Sequence, residues 1–187
     1  MSATLTPGKL LTAEEFATMP PPADGARQEL VQGRIIALPP VQGIHGIVAA
    51  EIAFLLRTAC GRGPARLGFV TCESGFIVQR DPDTVCGPDV AFWRATEQPD
   101  LPAGYFAVPA AIVAEVLSPE DRMPRVREKV REYVAAGVRL VWLVNPETRT
   151  VTVYAGSMRG LELDDAETLD GGDVLPGFAC RVAEFFP

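Results

Sequence analysis

The run Ala110-Ala111-Ile112-Val113-Ala114-Glu115-Val116-Leu117-Ser118-Pro119 decides the architecture. A short apolar segment, rich in β-branched residues and closed by Ser-Pro, predicts a buried strand. Side chains alternate along a strand, so Val113, Glu115 and Leu117 share one face and Ile112, Ala114 and Val116 the other. A carboxylate in such a run is costly to bury unless a metal, a cation or hydrogen bonds compensate it. Two readings stand for Glu115 on this strand alone: a structural ion pair with a neighbouring arginine, or part of a functional site.

Upstream, Cys86-Gly87-Pro88-Asp89-Val90-Ala91-Phe92-Trp93 reads as a turn feeding a second apolar strand. Pro88 has a fixed φ and no N–H, which suits the first residue of a strand or an edge. Asp89 then stands where the chain enters the sheet. Alone it reads as an ordinary turn residue; with a second carboxylate on a later strand, the functional reading as a metal ligand becomes the better one. Mg²⁺ typically takes one or two carboxylates and keeps several waters.

Downstream, a helix is expected after Ser118, with Asp121 capping its start, Pro124 in its first turn and Gly137 closing it. At 100° per residue, Val126, Val130, Tyr133 and Val134 form its inward stripe. Lys129 lies at the border of that stripe, while Arg127, Glu128 and Arg131 point away. A border lysine either snorkels at the surface or lays its stem along the core and aims its ammonium at the polar end of the sheet.

Taken together, Glu115-Val116-Leu117-Ser118-Pro119, Lys129, Tyr133, Gly137-Val138 and Val141-Trp142-Leu143-Val144-Asn145-Pro146 resemble the Uma family of endonuclease-like proteins. That family belongs to the PD-(D/E)xK, or restriction-endonuclease-like, superfamily. Glu29-Leu30-Val31-Gln32-Gly33-Arg34-Ile35-Ile36 and the single His45 fit it too, and the resemblance runs from about residue 10 to 185. It implies a mixed central β-sheet flanked by helices, of α/β or α+β class. It implies Mg²⁺ or Mn²⁺ held by Asp89, Glu115 and the backbone carbonyl of Val116, with Lys129 acting at a DNA phosphodiester. The superfamily's usual lysine stands two residues after the glutamate, where this chain has Leu117. Lys129 on the next helix is the natural substitute. If it cannot reach, the alternative is an inactive nuclease-like module that binds nucleic acid or a protein partner. Glu29 either extends the metal site, as acidic residues from the N-terminal region do in this superfamily, or faces solvent beside a turn. His45 either binds phosphate or assists proton transfer, or is a polar residue at a helix start.

The remaining pattern predicts one domain over 1–187: an N-terminal helix capped by Thr12 and a stiff Pro20-Pro21-Pro22 linker in 1–22, and a core over 23–187. Gln28 to Val31 and Arg34 to Leu38 read as a strand pair turned at Gln32-Gly33, and Gly43 to Cys60 as an amphipathic helix. Strands are expected at 67–70, 75–79, 139–144 and 150–154, edge strands between 161 and 169, and a short closing helix over 182–186.

A chain of 187 residues with 48% hydrophobic content can bury a sizeable core. The net charge of −7 argues against a general nucleic-acid binder, so weak or partner-assisted DNA binding is expected. Cys60, Cys72, Cys86 and Cys180 lack metal-ligand spacing and are expected to be reduced. No long apolar span is expected, hence no membrane association and a cytoplasmic location. A homodimer is also expected, with Phe178, Phe185, Phe186 and the hairpin near Tyr154 as interface elements.

Overall fold

The computed structural model describes residues 9–187, so part of the expected N-terminal segment, residues 1–8, lies outside the described residues. The decisive run forms β7 (Ile112–Val116), and the Asp89 segment leads into β6 (Val90–Arg94). Between β7 and β8 (Leu140–Asn145) the chain crosses over through α3 (Met123–Ala135), which makes β7 and β8 a parallel pair. β9 (Thr150–Ala155), β10 (Gly160–Leu163) and β3 (Gly68–Thr71) complete a mixed six-stranded sheet of order β10-β9-β8-β7-β6-β3.

Strand alternation divides the core in two. Ile112, Ala114, Val116, Val90, Phe92, Trp142 and Val144 face α2 (Gly43–Cys60) through Val48, Ile52, Leu56 and Cys60. Val113, Ala91, Trp93 and Val141 face α3 through Val130 and Tyr133. Each of these buried large side chains contributes roughly 1.5–3 kcal/mol relative to exposure.

A second sheet, not anticipated from the sequence, has the order β2-β1-β5-β4. Its strands are β1 (Arg27–Val31), β2 (Arg34–Leu38), β4 (Phe76–Gln79) and β5 (Thr84–Cys86). Gln32 and Gly33 both take positive φ, 49° and 73°, in the tight turn that joins β1 to β2. One face of the sheet, with Leu30 and Val85, packs on Ala13 and Phe16 of α1 (Ala13–Ala17). On the other face Phe76, Val78 and Cys86 join the α3 side of the core. Glu29 shares that second face by alternation, which turns it from solvent toward α3. Last come the short hairpin partners β11 (Thr168–Asp170) and β12 (Ala179–Arg181), then a 3-10 turn at Val182–Phe185.

Three expectations need correction. Asp121 does not cap α3: its carboxylate accepts from the Ser118 N–H at 2.8 Å, fixing the turn after β7, and the N-cap Arg122 has no side-chain capping bond. Phe178, Phe185 and Phe186 are not interface residues, because they close the α2 side of the core, where Phe178 stacks on Trp142. α2 is also long and apolar enough by length and composition to cross a membrane, with mean hydropathy 1.4 over its 18 residues. In this fold it lays one face on the six-stranded sheet.

Asp83 joins α1 to the second sheet. Its carboxylate, buried and charged, accepts from the Ala13 N–H at 2.7 Å, from Arg80 at 2.8 Å and from the Asp81 N–H at 3.3 Å. Burial works against its charge, but these donors outweigh burial and hold its carboxyl below the usual range. Asp83→Ala is expected to lower stability by about 3 kcal/mol in urea unfolding, since three donors lose their acceptor. Arg80→Ala, at a half-exposed position, should cost about 1 kcal/mol or less. Because the native pKa is depressed, the Asp83 contribution is complete above the unfolded pKa and disappears as pH falls through the native one. The parent should therefore lose its advantage over Asp83→Ala in strong acid; an unchanged difference there would contradict this assignment.

Candidate active site

The β6–β7 ladder pairs Val90 with Ala114 and Ala91 with Val113. One step further, Asp89 comes opposite Glu115. Such a directly opposed pair brings its Cβ atoms to roughly 4.5–5.5 Å, and alternation from Ala91 and Val113 places both on the α3 face. Asp89 Oδ2 accepts the Val116 N–H at 2.8 Å, which ties the two strand ends together. Opposite Val116 in the same register stands Pro88. Without an N–H it has no ladder bond to give the Val116 carbonyl. The Gly-Pro-Asp sequence thus ends the ladder where two carboxylates and a backbone carbonyl meet.

Lys129 does reach this point. Its ammonium lies 3.0 Å from Glu115 Oε1 and 3.0 Å from Glu29 Oε1. Tyr133, one turn further along α3, donates its hydroxyl to Glu115 Oε1. Glu29 Oε1 also accepts the Gly87 N–H at 3.1 Å. On the far side of Asp89, His45 Nε2 lies 3.0 Å from Oδ2, and Arg27 approaches Oδ1 at 3.8 Å while pairing with Glu73 at 3.2 Å. The structure therefore brings together all five predicted side chains: Asp89, Glu115, Lys129, Glu29 and His45. Glu29 is buried, so the solvent-facing reading does not apply to it; His45 does stand in the first turn of α2, as a polar residue at a helix start, and from there it is buried against Asp89.

Two residues of the cluster escaped the sequence reading. Tyr133 was assigned to the core stripe, which it does join, but its position four after Lys129 also puts its hydroxyl beside the lysine. Arg27 shares a strand face with Glu29, two positions away. That signal becomes readable only once β1 is known to face the site.

Charge and burial oppose each other here. Burial, helped by the nearby Asp89 and Glu29, lifts the Glu115 carboxyl to about 7 against the opposing pull of Lys129 and the Tyr133 hydroxyl. Burial also works against the Lys129 ammonium, but Glu115 and Glu29 more than offset it and raise its pKa. Asp89 is held below the usual carboxylate range despite burial, chiefly by His45 and the Val116 N–H. His45 is correspondingly raised by Asp89 against the effect of its own burial.

The donor set fits a hard divalent cation. Asp89 Oδ2 and Glu115 Oε1 are engaged by the protein, whereas among the described residues Asp89 Oδ1 has only the distant Arg27 and Glu115 Oε2 accepts no hydrogen bond. No group of three or more His, Cys, Asp or Glu side chains forms a ready cage among the described residues. Two carboxylate oxygens and a carbonyl suit Mg²⁺ or Mn²⁺, which complete their shells with water and substrate oxygen.

The fold is that of a nuclease-like α+β protein, and a crystal structure shares it. That structure, described as a putative nuclease belonging to DUF820 from Anabaena variabilis, superposes with a TM-score of 0.78 at 21% identity, covering 94% of this chain and 97% of that one. The model of the family Uma2, described as "Putative restriction endonuclease", matches residues 13–183, and the chain belongs to that family. No curated protein matches the sequence.

Proposed function

We propose that this protein is a metal-dependent endonuclease hydrolysing DNA phosphodiester bonds. The observation that carries the reading is the Lys129 ammonium 3.0 Å from Glu115, on the strand end where Asp89 bonds the Val116 N–H. Asp89 Oδ1, Glu115 Oε2 and the Val116 carbonyl would hold Mg²⁺ or Mn²⁺. When bound, such an ion supplies Lewis-acid charge at a phosphoryl oxygen and lowers the pKa of water.

The chain's own groups account for the rest. Tyr133 and Lys129 fix one oxygen of Glu115, and His45 and the Val116 N–H fix one of Asp89, so each carboxylate turns its other oxygen outward. An ammonium has three donors. Two of those of Lys129 point at Glu29 and Glu115, and the third is available to a non-bridging phosphate oxygen, where it would stabilise the charge of the transition state. Glu29, held by the Gly87 N–H, restrains the lysine.

The alternative, an inactive binding module, applies if Lys129 cannot serve the site, and the reach of Lys129 to Glu115 supports the endonuclease reading over it. The test is nicking of supercoiled plasmid with Mg²⁺ or Mn²⁺ in low salt. Nicking that EDTA abolishes is expected. Intact plasmid with every divalent metal at high protein concentration would favour the alternative. The net charge of −7 makes the DNA affinity weak, so nicking should fall off as salt is raised.

A further inference from the structure

A second cation stands at the Asp89 end of the site, as Lys129 stands at the Glu115 end: Arg27 of β1. Its guanidinium lies 3.2 Å from Glu73 Oε1 and donates to the Gly87 carbonyl at 3.3 Å, while Asp89 Oδ1, at 3.8 Å, is out of hydrogen-bond range. A guanidinium has five donors, so these contacts leave donors over beside the Asp89 oxygen. The side chain is 25% exposed, and with Glu29, Glu73 and Gly87 it borders a cavity of about 270 Å³. Neither acidic neighbour explains its place. Asp89 already has His45 Nε2 at 3.0 Å and the Val116 N–H at 2.8 Å. Glu73 is half-exposed, where an ion pair is worth little. Glu73 is also strained: its φ is 54°, in the left-handed region that favours glycine, and its N–H donates to the Pro88 carbonyl at 3.0 Å. The turn after β3 is thus pinned to the Gly-Pro-Asp segment with its carboxylate beside Arg27, and backbone strain of this kind clusters at functional sites.

We infer that Arg27 is a catalytic residue that grips the scissile phosphate from the Asp89 end, opposite Lys129, and that Glu73 is the positioning residue that aims it. This rests on the endonuclease reading and adds two residues to its machinery. Lys129 is held by Glu29, and Arg27 stands two positions before Glu29 on the same face of β1. Two residues of a strand span roughly 6.6 Å, a gap that one phosphate group can bridge. Hydrolysis adds a water oxygen to phosphorus and breaks one P–O ester bond, the leaving oxygen gaining a proton as the water loses one. Negative charge gathers meanwhile on the two non-bridging oxygens. Lys129 meets one of them, and Arg27, whose planar fork matches phosphate geometry, meets the other. Charge agrees with this arrangement. Asp89, Glu115, Glu29 and Glu73 surround the point where an anionic phosphate must arrive, and Lys129 is already shared by two of them. One ammonium is too little to receive that anion; a guanidinium with free donors at the other end makes up the difference.

The test pairs cleavage with binding, on the full chain. In the plasmid assay Arg27→Met should cleave about 10²-fold more slowly than the parent. Its Mn²⁺ affinity in calorimetry should equal the parent's or be about threefold tighter, because a positive charge beside the metal oxygens is gone. Slower cleavage on a metal site at least as tight as the parent's does not come from general damage. Arg27→Lys keeps the stem and the charge without the fork and should recover only part of the rate; it is the variant to read if Arg27→Met does not fold by circular dichroism. Glu73→Gln should slow the parent about fivefold and leave Arg27→Met unchanged, since it acts through the guanidinium. Binding is measured without turnover, by fluorescence anisotropy of a labelled DNA duplex in Mg²⁺ with Lys129→Arg in every arm to slow cleavage. There Arg27→Met should reduce the slope of log affinity against log salt by about one, as the loss of one phosphate contact does. Arg159→Met, in the hairpin at the far edge of the six-stranded sheet, should leave that slope unchanged. Parent-like cleavage by Arg27→Met, loss of its Mn²⁺ affinity together with its rate, or an unchanged salt slope would overturn the inference. Equal slowing of the parent and of Arg27→Met by Glu73→Gln would overturn the role of Glu73. A parent that cuts no plasmid would reject the endonuclease reading, and the salt slope would still decide whether Arg27 meets a phosphate.

Discussion

Asp89→Ala is expected to reduce metal-dependent cleavage by about 10³-fold and to remove measurable Mn²⁺ binding in calorimetry. In the proposed site Asp89 would supply one metal oxygen, and its other oxygen ties β6 to β7 through the Val116 N–H at 2.8 Å. Removing it takes away a ligand and loosens the strand end that aims the Val116 carbonyl. The same change leaves His45 and the Val116 N–H without their acceptor, at a cost of about 2–4 kcal/mol. A loss of activity could then reflect unfolding, so Asp89→Asn is the sharper variant. It keeps the shape and an acceptor oxygen, and should stay folded by circular dichroism while losing most of the metal affinity. Parent-like cleavage by a folded Asp89→Asn protein would show that this carboxylate is no ligand.

Much of this arrangement was legible in the sequence because its signals are local. β7 follows from an apolar run broken only by Glu115, α2 from its helical period, and the Asp89 position from a proline that cannot continue a ladder. The face shared by Val113 and Glu115 follows from alternation alone, so the direction of Glu115 was readable once α3 was placed. What could not be read depends on pairing between distant segments. Thr84-Val85-Cys86 is too short to announce a strand between Pro82 and Gly87-Pro88, yet it pairs β1 with β4 and makes a second sheet. Without that sheet Glu29 has no direction, and Arg27 has no reason to approach Asp89. The C-terminal phenylalanines failed for a similar reason. Sequence marks them as apolar, but only the chain's return under α2 decides between core and interface.

Lys129→Ala should lower the cleavage rate about 10²–10³-fold while leaving Mn²⁺ affinity close to the parent's, because the metal oxygens remain. The lysine also neutralises two buried acids, Glu29 and Glu115. Its removal leaves Glu115, already raised to about 7 by burial, closer to its neutral form and lowers stability, so activity must be measured on protein shown to be folded. Lys129→Arg separates charge from shape. A guanidinium keeps the positive charge for Glu29 and Glu115 and should restore much of the stability, yet its planar fork cannot place a compact third donor on the phosphate. Arginine is therefore expected to rescue folding and not the rate. If Lys129→Arg cleaves like the parent, positive charge alone suffices at this position. If Lys129→Ala does so while folded, the lysine only balances the charge of its two carboxylates, and the catalytic assignment fails.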